Sequence, residues 1–120
     1  MNTVLLFESE VARVASLAPV LSAAGFSVHR AHDGVEAIAE VDRFDFDAAV
    51  VDVAPPDVNG GHVAHALRKQ DSELPIFVCT GLDADAVARW ATEDRMLVLE
   101  KPVDEAQLIW LLRTHLGNLD

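Results

Sequence analysis

Five short runs in this chain, TVLLF at 3–7, SVHRA at 27–31, AAVVD at 48–52, IFVCT at 76–80 and MLVLE at 96–100, alternate with amphipathic stretches. All but the second are apolar at nearly every position instead of every second one. A strand can look like that only when both of its faces are covered. Alternating strand and helix patterns of this kind define a parallel sheet wrapped by helices.

The stretches between the runs carry helix signals. Residues 11–24 place Val14, Leu17, Ala18 and Leu21 on one stripe and end at Gly25, a glycine in the C-terminal cap position. A second helix, about 34–41, opens at Asp33 with Glu36 three residues on, a variant capping box. A third follows Gly60 and Gly61 and buries Val63, Ala64 and Leu67. A fourth starts after Asp83 and carries Val87 and Trp90. The last is capped by Asp104 with Gln107 in the reciprocal position, and presents Leu108, Leu111, Leu112 and Leu116.

Five βα units in 120 residues are too few for a closed eight-stranded barrel. The expected fold is an α/β, flavodoxin-like, doubly wound (βα)5 domain spanning residues 1–120, with a five-stranded parallel sheet in the order 2-1-3-4-5. Twenty acidic residues against nine basic ones give a formal charge of -11, a field that repels nucleic-acid phosphates and anionic lipid headgroups. No apolar run approaches the ~18 residues of a membrane span, and the first ten residues lack the layout of a signal peptide. A cytoplasmic protein without direct nucleic-acid or membrane binding is expected. The single cysteine, Cys79, sits in an apolar run and reads as a small core residue.

In open sheets of this class, ligands gather at the carboxyl ends of the strands. Those ends carry Glu8 and Ser9 after the first run, Asp52 at the third, Thr80 at the fourth and Lys101 after the fifth. Lys101 is one of only two lysines in the chain, so its arrival at this edge is informative. The motifs VLLFESE, VVDVAPPDVNG, PIFVCTG and LVLEKP stand in order on these ends, and together they resemble the receiver domain of bacterial two-component response regulators over the whole chain.

The resemblance implies that Asp52 is a phosphoacceptor, a nucleophile held at the end of a buried strand. It implies that Thr80 and Lys101 stabilise the phosphoryl group through a hydroxyl donor and a compact ammonium. It also implies that weakly held magnesium is the cofactor, with Glu8, Asp52, the Ala54 carbonyl and Ser9 at the ligand positions. Ser9 replaces the family's metal-binding aspartate, and Val98 stands where the family places a switching aromatic. Pro102 after Lys101 is a cis-proline candidate. Trp90 and Trp110 are interface candidates on the helix 4, strand 5, helix 5 face, which would serve a homodimer or an effector.

A sensor histidine kinase or a phosphotransfer protein is the implied donor. Such a protein assists its own phosphorylation and dephosphorylation without being a conventional enzyme. Only GNLD follows the last helix: if the chain is complete, a stand-alone receiver signalling through altered protein binding is expected, and if it is an excised fragment, a neighbouring effector or kinase has been cut away. The alternative is a pseudo-receiver, an interaction module that is not phosphorylated or binds no magnesium, and Ser9 and Val98 speak for it. His62 and His65 make a poor zinc site without a third ligand. The GG at 60–61 lacks the Lys-Ser/Thr of a P-loop. Haloacid-dehalogenase-like phosphatases need an acid two residues after the nucleophile, where this chain has Ala54. The acidic segments DRFDFD and DADA read as a solvated surface and a helix start.

Overall fold

The computed structural model describes residues 2–8, 16–53, 59–81 and 84–116. Strands β1 (Thr3–Glu8), β2 (Ser27–Ala31), β3 (Ala48–Val53), β4 (Ile76–Thr80) and β5 (Leu97–Glu100) alternate with helices α1 (Ala18–Ala23), α2 (Gly34–Arg43), α3 (Asn59–Gln70), α4 (Ala84–Glu93) and α5 (Glu105–His115). The sheet order is β2-β1-β3-β4-β5, parallel throughout. The doubly wound fold expected from the alternation is therefore present.

Each strand sends alternate residues to opposite faces. Leu5, Phe7, Val51 and Val78 pack with Ala37, Val63, Leu67 and Val87 from α2, α3 and α4. Val4, Leu6, Val50, Phe77 and Cys79 pack with Leu21 of α1 and with Leu108 and Leu112 of α5. Two covered faces explain why the central strands are apolar at consecutive positions. β2, whose pattern was weak, is an edge strand with only Ala31 fully buried.

The caps at Asp33 and Asp104 form as expected, their carboxylates accepting from the Glu36 and Gln107 N–H groups at 2.8 and 3.1 Å. Gly25 ends α1 with φ at +96°, a left-handed conformation that favours glycine. The first helix differs from the expected 11–24. Residues 11–15 lie outside the described residues, and Ser16 and Leu17 precede the helix. Pro19 fits the first turn because it has no N–H to leave unpaired, while the Leu17 N–H is taken by the Glu8 carboxylate.

DRFDFD is the solvated surface expected, exposed at every position but Phe46. Phe46 packs against the core, Phe44 and Phe46 meet His29 ring to ring, and Asp47 accepts the Thr3 N–H at 2.7 Å.

The third helix carries a buried cation. Arg68 is 8% exposed, and its guanidinium donates to the carbonyls of Asp94, Asp71, Ser72, Leu74 and Arg95. It ties the loop after α3 to the turn before β5, and so braces the strand that delivers Lys101. Replacing it with a residue of similar stem but no donors, Arg68→Met, strands these carbonyls. The unfolding free energy should fall by about 2–3 kcal/mol, read from the urea midpoint.

Candidate functional site

The strand register brings the chemistry together. Glu8 pairs with Asp52 across β1 and β3, Asp52 with Cys79 across β3 and β4, Val53 with Thr80, and Thr80 with Glu100 across β4 and β5. Parallel neighbours lie about 4.8 Å apart, so four strand ends deliver their side chains to one edge. The Thr80 carbonyl also accepts the Lys101 N–H at 2.8 Å, fixing the backbone that carries the lysine.

At the centre, the Lys101 ammonium forms an ion pair with Asp52 Oδ1. Asp52 is 3% exposed, and its Oδ1 has no aligned hydrogen-bond donor among the described residues. Lys101 is partly open to solvent, its stem passing beside Gly81, while Thr80 is fully buried. The Lys101–Pro102 peptide is cis. Burial pushes the Asp52 carboxyl above its ordinary value of 3.8; Lys101 pulls it down without cancelling the rise, and the Glu8 charge adds to it. The neighbouring Cys79 thiol is pushed up to about 12 by burial, with the Asp52 charge adding, so it is an inert core group.

Glu8 is differently placed from what its position suggests. It is 1% exposed, its Oε1 accepts the Ser16 hydroxyl at 2.6 Å, and its Oε2 accepts the Leu17 N–H at 2.8 Å. Arg30 Nη2 stands 3.6 Å from Oε1. Glu8 therefore caps the entry to α1. Neither Arg30 nor Ser16 was singled out from the sequence, although Arg30 is the penultimate residue of β2. The strand-end rule reads Ala31 and His32 on β2, so it passes over Arg30, whose partner lies on another strand.

Ser9 and Ala54 lie outside the described residues, as does the side chain of Trp90. Trp110 is 60% exposed on α5, Leu97 of β5 is also exposed, and Val98 is half-buried against the core. His65 is engaged by Asp94 at 2.6 Å and His62 is exposed. Among the described residues no group of three His, Cys, Asp or Glu side chains could hold a metal. Magnesium requires near-octahedral oxygen ligation, usually one or two carboxylates with several waters. Asp52 Oδ1 is already paired with Lys101, and Glu8 is shared with Ser16, Leu17 and Arg30, so among the described residues neither carboxylate is open to the ion without a competing partner.

A parallel sheet of this order, with a buried carboxylate and a lysine paired at the carboxyl edge of its strands, makes a doubly wound domain with a charged site at the strand ends. The chain belongs to the response regulator receiver domain family, whose model matches residues 4–113. It is 35% identical over 102 residues to the transcriptional regulatory protein TcrA of Mycobacterium tuberculosis, covering 85% of this chain and 38% of that one. A response regulator receiver protein from Sinorhizobium medicae superposes with a TM-score of 0.78 at 32% identity, covering 97% of this chain and 94% of that one. The receiver domain of sensor histidine kinase PA1611 from Pseudomonas aeruginosa, with magnesium in its active-site cleft, superposes with a TM-score of 0.78 at 25% identity, covering 97% and 98%. The chain spans well under half the length of the curated relatives it matches.

The raised Asp52 pKa has a stability consequence. The folded state holds the Asp52 proton more tightly, so this group's contribution is largest below about pH 3.8 and is lost as the pH rises through the raised folded value. Asp52→Asn avoids that loss. The variant should melt a few degrees above wild type at pH 7.5, with the gap closing towards pH 4, as calorimetry at a series of pH values would record.

Proposed function

We propose that Asp52 accepts a phosphoryl group from the phosphohistidine of a sensor histidine kinase or a phosphotransfer protein. The observation that carries this reading is the buried Asp52 carboxylate at the end of β3, paired with Lys101 and flanked by Thr80. A carboxylate oxygen forms the new P–O bond as the P–N bond of the donor breaks, and the electron pair leaves with the imidazole. Negative charge on the transferred group then meets the Lys101 ammonium, and the Thr80 hydroxyl donates to a phosphoryl oxygen. Partial solvent access at Lys101 leaves room for that group to enter. The domain promotes its own phosphorylation and hydrolysis and turns over no separate substrate.

Residues 1–120 act in this reading as one receiver domain. Magnesium, if it assists, is held weakly, because Ser9 offers no carboxylate and Glu8 is engaged elsewhere. Output passes through the α4–β5–α5 face to a second copy or an effector, with Trp110 as an exposed anchor. Val98 lacks the bulk for an aromatic swing, so the signal reaches that face by another movement. Among the described residues no helix is long and apolar enough to cross a membrane, and a cytoplasmic setting fits a kinase-fed domain.

Intact-protein mass spectrometry after incubation with a small acyl phosphate and magnesium tests the proposal. Wild type should gain a single phosphoryl group, Asp52→Asn none, and Lys101→Ala should react about a hundredfold more slowly. A folded wild type without an adduct, or an adduct on Asp52→Asn, would overturn it and favour an interaction module that is not phosphorylated.

A further inference from the structure

The charged groups described around Asp52 balance without a metal ion. Two carboxylates, Glu8 and Asp52, face two cations, Arg30 and Lys101. Ser9 contributes no charge to the position after Glu8. A divalent ion is most strongly drawn to a site with surplus negative charge and open oxygens, and these four side chains offer no surplus.

We propose that Arg30 is a positioning cation of the acceptor site. It holds Glu8 against the start of α1 and supplies a standing positive charge where a divalent ion would otherwise be recruited. Three groups act together on one buried carboxylate: the Ser16 hydroxyl and Arg30 Nη2 on Oε1, at 2.6 and 3.6 Å, and the Leu17 N–H on Oε2 at 2.8 Å. A metal at Glu8 would have to share the carboxylate with these donors and stand against the Arg30 charge. Arg30 is itself 44% exposed, so its pair with Glu8 contributes little to folding. Its charge nevertheless acts on a doubly charged ion with twice the force it exerts on a singly charged one.

Isothermal titration of magnesium into the whole chain at fixed ionic strength tests this directly. The proposal deepens the phosphoacceptor reading, but the titration does not depend on Asp52 being phosphorylated, so the two can fail separately. Arg30→Gln should bind magnesium about five- to tenfold more tightly than wild type, the effect of removing one nearby charge. Arg30→Lys, which keeps the charge, should bind within about twofold of wild type. Arg30→Met, which also removes the charge, serves as the second probe if Arg30→Gln fails to fold by circular dichroism, and should tighten binding by the same roughly five- to tenfold. Unchanged or weaker magnesium binding in whichever of the two variants folds would overturn the proposal.

Discussion

A carboxylate taken out of water at the end of a sheet strand is costly unless a cation stands beside it. The Asp52–Lys101 pair meets that requirement, and much of the fold can be read as the apparatus that brings the two together. Asp52 is fixed because β3 is central, with β1 on one side and β4 on the other. Lys101 is fixed because β5 pairs with β4, its N–H donates to the Thr80 carbonyl, and Arg68 braces the turn from which β5 starts. The pair is incompletely compensated, since burial outweighs the lysine in setting the Asp52 pKa. That residual imbalance suits the phosphoacceptor role proposed for Asp52.

The second acidic group shows how position and role can separate. Glu8 is adjacent to Asp52 in register, yet its oxygens face the α1 entry and Arg30. It behaves as a structural anion whose charge is felt at Asp52 while its oxygens anchor the α1 entry and face Arg30. A neutral Ser9 in the sequence and an arginine beside Glu8 in the structure shift the local charge in the same direction.

The architecture was legible because burial on two faces leaves an unmistakable apolar run, and because Asp33, Asp104 and Gly25 mark helix ends by local chemistry that needs no tertiary partner. Asp52, Thr80 and Lys101 were legible for a related reason: polar residues closing apolar strands stand out. Arg30, Ser16 and Arg68 were not, because their roles depend on partners distant in the chain or on backbone carbonyls that carry no sequence signal. The start of α1 was misjudged for the same cause. An apolar stripe continued through Leu17, while a carboxylate nine residues earlier claimed that residue's N–H.

The phosphoacceptor role proposed for Asp52 can be read directly from where phosphorus enters the chain. Borohydride reduction of the phosphorylated protein converts an aspartyl phosphate to homoserine, which peptide mass mapping then locates in the chain. Homoserine at position 52 and at no other of the chain's acidic positions is the result this account requires. Homoserine at a different carboxylate, with position 52 still aspartate, would contradict it.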